Sequence, residues 1–140
     1  MSTKAATRTE VDPTLRQEWL DTVTVLKDQI KAWADQEPGW ALTAQEEREI
    51  TEVTLGEYSV TVWKLQTPDG EVRLEPIARN YPGRGIVELY AWPTLYRVRL
   101  IRDEEWGGWR VRTDSGISLR QEWSRKNFIT LTNDLLTADA

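Results

Sequence analysis

Residues 12–39 read DPTLRQEWLDTVTVLKDQIKAWADQEPG and predict the long helix around which the fold is organised. Asp12 can accept hydrogen bonds from the free backbone N–H groups of a first turn, and Pro13 fits the first helical position. Pro38 cannot continue a helix, and Gly39 favours a reversal of the chain. Between these signals, apolar residues recur every three or four positions, at Leu15, Trp19, Val23, Leu26, Ile30 and Trp33. This spacing places one apolar stripe on a helix of about six turns, which must be buried against another element.

After the helix, the spacing of apolar residues changes to two, which predicts strands. Residues 40–48 fit either a helical turn or an extended, charged edge, and Gly56-Glu57 predicts a turn. Strands are predicted over residues 50–55, Tyr58 to Gln66, Val72 to Ala78, Ile86 to Trp92, Leu95 to Arg102, and Trp109 to Thr113. The residue types at 67–70 and 103–108 are typical of tight turns between neighbouring strands. Five or six consecutive strands joined by short turns are therefore expected to form an antiparallel meander.

A second helix is predicted near the C-terminus, where Ser124 can cap it. Its apolar face consists of Phe128, Ile129, Leu131, Leu135 and Leu136. The order of elements predicts an α+β fold with a long N-terminal helix, an antiparallel meander of five or six strands, and a short C-terminal helix packed on one sheet face. Residues 1–11 are expected to be a disordered tail, and residues 12–140 a single α+β domain.

The composition excludes several classes of chemistry. The chain has eight Trp but no His and no Cys. It therefore lacks the residues for Cys–His or Ser–His–Asp catalysis, thiol redox chemistry, disulfides and the usual zinc sites. The absence of Cys, together with a polar N-terminal segment in place of a secretory signal, favours a cytoplasmic location. No apolar run approaches the roughly 18 residues of a spanning helix, so no membrane partner is expected.

Charge is distributed unevenly along the chain, whose net charge is −5. Residues 1–71 contain 7 Lys/Arg and 14 Asp/Glu, whereas residues 72–126 contain 11 Lys/Arg and 7 Asp/Glu. Ten of the eleven cations in the second block are Arg. The two blocks can attract each other within one fold, or the Arg-rich block can bind an anionic partner.

The strands predict two sheet faces of different composition. The face that the helices cover is expected to carry Tyr58, Val60, Val62, Val72, Leu74, Val87, Leu89, Tyr96, Val98, Leu100, Trp109 and Val111. The opposite face is expected to carry Trp63, Leu65, Ile86, Tyr90, Trp92 and Ile101, together with Arg97, Arg99, Arg110 and Arg112. A solvated sheet face is normally polar, so this mixture of aromatic, aliphatic and Arg side chains is unusual.

Two interpretations of these Arg residues stay open. Like charges opposite one another destabilise a sheet unless they are compensated, and Glu71, Glu75 and Glu88 can compensate them in an internal lattice of ion pairs. Otherwise the Arg residues form a surface that binds a carboxylate, a phosphate or a partner protein. The candidate binding residues are Trp63, Tyr90, Trp92, Arg97, Arg99, Arg110 and Arg112, with Arg84 and Trp106 at the rim.

The leading functional hypothesis is a non-enzymatic protein-binding accessory or adaptor module, because Trp, Tyr and Arg are enriched in interface hot spots. Its partner is expected to be another protein or a second copy of the chain, as a homodimer. One alternative is single-stranded nucleic acid or another polyanion, which the negative net charge disfavours. Further alternatives are a small hydrophobic ligand in a Trp-lined pocket and an enzyme that uses carboxylate or Tyr chemistry. No cofactor or metal site is predicted.

Overall fold

The computed structural model describes residues 10–80, 85–93, 96–103, 108–113 and 122–137, with the side chains of Asp103 and Thr113 excepted. These residues form two helices and six strands in the order predicted for an α+β fold, and the fold prediction is confirmed. The elements are helix α1 (Pro13–Ala34), strands β1 (Ala41–Glu52), β2 (Gly56–Thr67), β3 (Gly70–Ala78), β4 (Ile86–Trp92), β5 (Arg97–Asp103) and β6 (Gly108–Thr113), and helix α2 (Arg125–Thr137).

Helix α1 begins where its local chemistry predicts. The Asp12 carboxylate accepts hydrogen bonds from the backbone N–H groups of Thr14 (3.0 Å) and Leu15 (3.1 Å), and Pro13 is the first helical residue. The first backbone N–H groups of a helix have no acceptor within the helix, so the Asp12 side chain stabilises the first turn by accepting from two of them. The buried residues of its apolar stripe include Trp19, Val23, Leu26 and Ile30. The stripe thus faces the sheet, as its spacing predicts.

The sheet is an antiparallel meander with the strand order β1-β2-β3-β4-β5-β6. The ambiguous residues 40–48 are extended and belong mostly to β1, which lies at one edge of the sheet. The turn between β1 and β2 covers residues 53–55, so the predicted turn at Gly56-Glu57 is wrong by a few residues. Gly56 has a φ of 72°, which closes the turn, and it already starts β2.

Both helices lie on one side of the sheet, here called the helix face. At its centre, Phe128 of α2 is fully buried and contacts three indole rings. These belong to Trp33 (5.7 Å between centroids), Trp40 (5.9 Å) and Trp123 (5.7 Å). Trp19 of α1 also packs on Trp109 of β6, with 6.4 Å between centroids. Most of the Trp residues therefore join the two helices to each other and to the sheet, where large rings bury much apolar area.

Trp63 and Leu65 also lie on the helix face, so their predicted placement on the opposite face is wrong. The ammonium group of Lys27 in α1 lies 4.9 Å from the centroid of a Trp63 ring. Leu65 is a buried member of the hydrophobic core. The sequence pattern placed both residues by extending one alternation through the whole of β2, and that assumption does not hold.

The alternation in β2 changes phase next to a bulge in β1. The buried residues of β2 are Tyr58, Val60, Val62, Leu65 and Thr67. Their spacing changes from two to three between Val62 and Leu65. In β1, the pairing register with β2 shifts between Ala44 and Glu46, which leaves Gln45 as the extra residue. A bulge adds one unpaired residue and twists the strands locally, so side chains beyond it can face the other side.

The prediction that Tyr96 is buried is wrong as well, since 47% of this residue is exposed. The Tyr96 carbonyl accepts a hydrogen bond from the backbone N–H of Ala91 (2.8 Å), next to the turn between β4 and β5. Tyr96 lies immediately before β5, which begins at Arg97. Alternation within a strand does not predict how much of a side chain at the strand end is covered.

Several predicted features lie outside the described residues: residues 1–9 of the expected tail, Arg84, Leu95, Trp106 and residues 104–107 of the predicted turn. In the part of the chain that the structure describes, neither helix is long and apolar enough to cross a membrane.

Candidate functional site

The face of the sheet opposite the helices, here called the outer face, carries most of the predicted binding residues. Cross-strand pairing arranges its side chains in rows. One row contains Gln66, Glu71 and Trp92, and the next contains Lys64, Arg73, Tyr90 and Arg97. A third contains Glu75, Glu88, Arg99 and Arg112, and a fourth contains Ile86, Ile101 and Arg110. Members of a row are direct neighbours, so the register brings Glu and Arg side chains of different strands together.

Glu88 compensates two Arg residues of β5. Its Oε2 atom lies 3.1 Å from Nε of Arg99, and its Oε1 atom lies 3.5 Å from Nη1 of Arg97. Glu88 is only 8% exposed, although no helix covers it. A carboxylate removed from water to this extent is tolerated only when it is paired, so Glu88 and the two guanidinium groups depend on each other.

Glu75 lies directly opposite Glu88 but has its own partners. Nη1 of Arg48 lies 3.0 Å from Oε2 of Glu75, and the Tyr90 hydroxyl donates a hydrogen bond of 2.9 Å to Oε1. Burial, assisted by this hydrogen bond, raises the pKa of Tyr90 to about 12. Tyr90 therefore stays protonated at neutral pH and acts as a donor that orients Glu75.

Trp92 is an exposed aromatic residue of the outer face, with 45% of its surface accessible. The guanidinium carbon of Arg73 lies 3.8 Å from the Trp92 ring centroid, which is a cation–π contact. Nε of Arg73 in turn lies 2.7 Å from Oε2 of Glu71. These contacts restrain the indole while leaving nearly half of it accessible, which suits a binding anchor because little side-chain freedom is lost on binding.

The half of the outer face formed by β4, β5 and β6 is positively charged. The described outer-face side chains of these strands include one carboxylate, that of Glu88, and four guanidinium groups, those of Arg97, Arg99, Arg110 and Arg112. Glu122, which forms a β-bridge with Arg110 beside β6, adds a second carboxylate at the edge. Arg112 is exposed and forms no ion pair with any residue that the structure describes. The sequence left two interpretations of the Arg residues, an internal lattice of ion pairs and a binding surface. Each applies to some of these residues. Arg97 and Arg99 belong to an ion-pair lattice, while Arg112 extends the positive charge beyond it.

Six of the nine candidate binding residues lie together on the outer face: Tyr90, Trp92, Arg97, Arg99, Arg110 and Arg112. Trp63 is on the helix face, and Arg84 and Trp106 lie outside the described residues. Arg48 and Arg73 are further members that the sequence did not single out. Alternation along β3 places Arg73 between Glu71 and Glu75 and could have identified it. Arg48 gave no such signal, because the pattern around it fits both a helix and a strand.

Two Tyr–carboxylate pairs bear on the alternative of an enzyme that uses carboxylate or Tyr chemistry. One is the outer-face pair described above. In the other, the Tyr58 hydroxyl donates to Glu52, and burial raises the pKa of Tyr58. Glu52 also accepts hydrogen bonds from the backbone N–H groups of Arg79 (2.9 Å) and Asn80 (2.7 Å). Both Tyr pKa values move away from neutrality, and both carboxylates have structural partners. These pairs therefore favour a structural role over proton transfer.

Two clefts lined by described residues flank α1. The larger, of about 340 Å³, lies between α1 and β6 and is lined by Leu26, Gln29, Trp109 and Trp123 among others. The smaller, of about 200 Å³, lies between α1 and β2. In the larger cleft, the Trp123 indole N–H already donates to Gln29 (2.7 Å). These volumes are at or below the lower end of the range for small-molecule sites, so the clefts are weaker candidates than the outer face.

No group of three carboxylates among the described residues is placed to hold a metal ion. Comparison of the chain with protein-family models, with curated proteins and with solved structures found no match. The outer face therefore has to be interpreted from its own chemistry.

Proposed function

We propose that the protein is a non-enzymatic accessory or adaptor module of the cytoplasm that binds another protein through the β4–β6 half of its outer face. The observation that carries the proposal is the exposed Trp92 ring, which shares a face that neither helix covers with the exposed residues Arg97 and Arg112. Trp and Arg are among the residues most enriched in interface hot spots. The cytoplasmic location is supported by the absence of Cys.

The ion pairs beneath this surface support the same function. Glu88 holds Arg97 and Arg99, and Arg73 restrains Trp92 from β3. Side chains that are already restrained lose less conformational entropy when a partner binds, so the same contacts yield a tighter complex.

Photo-crosslinking in an extract of the organism of origin tests the proposal. A benzophenone amino acid replaces Gln66, which is exposed and lies in the same row as Trp92. We expect this position to capture a small set of other proteins, and we expect W92A combined with R112Q to abolish the capture. The matched control carries the crosslinker at Asn133, which is exposed on α2.

Three results would contradict the proposal. The first is no captured protein at Gln66, and the second is the same set of proteins captured from both positions. The third is capture of a second copy of the chain alone, which would assign the outer face to a homodimer.

A further inference from the structure

We infer that the segment recognised by the outer face is an extended acidic peptide, with acidic residues at the second and fourth positions from an apolar residue. This inference rests on the proposed function and specifies the chemistry of the partner. It is carried by the placement of Trp92, Arg97 and Arg112 on one diagonal line across β4, β5 and β6.

The pairing register defines this diagonal. Arg97 pairs with Tyr90, so Trp92, two residues further along β4, is its diagonal neighbour. Arg99 pairs with Arg112, so Arg97, two residues before Arg99, is the diagonal neighbour of Arg112. Diagonal neighbours in a sheet are roughly 7–8 Å apart. Alternate side chains of an extended peptide are about 6.5–7 Å apart, so a peptide that follows the diagonal presents a side chain to each of the three residues.

The chemistry of the three positions defines the sequence of the peptide. The exposed part of the Trp92 indole favours an apolar side chain, because contact removes apolar surface from water. The guanidinium groups of Arg97 and Arg112 favour carboxylates, with which Arg forms charge-assisted hydrogen bonds. The two intervening side chains of the peptide point away from the sheet, and their identity is unconstrained.

Charge complementarity favours an acidic protein segment over a second copy of this chain. If two copies met through this half of the face, Arg112 of one would approach the positive half of the other, and like charges in contact are unfavourable. An acidic segment neutralises the same groups.

Charge also favours a short acidic segment over nucleic acid. A nucleic acid carries charge along its whole length and would extend past the patch towards β1, where Glu46, Glu47 and Glu49 are exposed. The net charge of −5 opposes such a polyanion, whereas a short segment meets only the positive patch.

Fluorescence anisotropy with the full chain tests the inference. The probe is a labelled nonapeptide with Leu at its third position, Glu at its fifth and seventh, and Gly or Ser elsewhere. The control peptide has the same composition with its two Glu residues adjacent. We expect the first peptide to bind at least about fivefold more tightly, because adjacent side chains of an extended peptide point to opposite sides. Binding should weaken as salt is added.

Variants locate the binding on the diagonal. W92A, R97Q and R112Q should each weaken binding of the first peptide about five- to tenfold. K126Q, which removes the same charge from an exposed position on α2, should change it less than about twofold. Because Arg112 has no ion pair with a described residue, R112Q is expected to fold like the wild type, and circular dichroism checks this.

Each alternative outcome overturns the inference in a recognisable way. Equal binding of the two peptides, or of neither, rejects recognition along the diagonal. Tighter binding of a labelled oligothymidylate that depends on Arg97 and Arg112 assigns the face to nucleic acid. A dimer detected by light scattering and lost in W92A assigns it to a second copy. If the peptides fail while crosslinking at Gln66 succeeds, protein binding stands and only the acidic motif is wrong.

Discussion

Glu75 and Glu88 are direct cross-strand neighbours on the outer face, although both are carboxylates. Like charges in this position normally destabilise a sheet. Here each carboxylate is bound by its own cation, Glu75 by Arg48 and Glu88 by Arg99. The two carboxylates therefore form the centre of a charge lattice that runs from β1 to β5, and removing a single member leaves its partners uncompensated.

Replacing Glu88 by Gln should lower the free energy of unfolding by about 1–3 kcal/mol, because charge-assisted hydrogen bonds to Arg97 and Arg99 are lost. Urea denaturation followed by circular dichroism measures the change. The matched control is Glu57→Gln, which removes a carboxylate that is exposed and has no partner among the described residues. This control should change stability by less than about 0.5 kcal/mol. Equal effects of the two substitutions would show that the lattice does not contribute to stability.

Tyr90 should make the free energy of unfolding depend on pH in the alkaline range. Its pKa is raised from 10 to about 12 in the folded protein, so folding favours the protonated hydroxyl. The stabilisation is complete below pH 10, the ordinary value, and is lost as the pH rises from 10 to 12. Unfolding free energy should therefore fall more steeply over this interval in the wild type than in Y90F. The other Tyr residues are common to both proteins, and identical slopes would disprove the assignment.

Replacing Trp63 and Trp92 by Ala should change the stability of the protein by different amounts, because the two residues lie on opposite faces of the sheet. Trp63→Ala removes a ring that packs on the core beneath Lys27, and it should cost about 1–3 kcal/mol of stability. Trp92→Ala removes an exposed ring held mainly by Arg73, and it should cost less than about 1 kcal/mol. Thermal unfolding of the two variants checks this order. A reversed order would place Trp63 on the outer face after all.

Gly85 should be far less tolerant of a side chain than Gly108. Gly85 has a φ of 144°, and a Cβ atom there would overlap the ring of the buried Trp19. Gly85→Ala should therefore destabilise the protein by at least about 2 kcal/mol, through backbone strain and overpacking. A Cβ atom at Gly108 meets no atom of the described residues within 4 Å, so Gly108→Ala should cost less than about 1 kcal/mol. Denaturant midpoints compare the two, and similar losses would contradict the contact with Trp19.

The helices and strands could be predicted because the sequence features that specify them act over only a few residues. Asp12 and Ser124 each accept hydrogen bonds near a helix start, and a capping side chain acts within one turn of its own position. A stripe such as that of α1 likewise depends only on spacing within the helix. The candidate site was predictable in part for the same reason, since alternation along β4 to β6 placed Tyr90, Trp92 and the Arg residues together.

The failures of prediction share a different physical cause. Trp63 lies on the helix face because a bulge in the neighbouring strand accompanies a change of phase in β2, and a bulge belongs to a pair of strands. Tyr96 precedes the first residue of β5 and is exposed. Neither property is encoded in the spacing within one strand.

By itself, therefore, the sequence determined the two helices, the meander and the outward direction of the Arg residues, since capping, turn chemistry and periodicity act over a few residues. Only the tertiary structure decided which of those Arg residues share a carboxylate. Arg97 and Arg99 meet Glu88, whereas Arg112, in the same row as Arg99, has no ion pair with a described residue. The physical reason is that an ion pair depends on distances between strands, and these follow from register, bulges and burial once the whole sheet has formed.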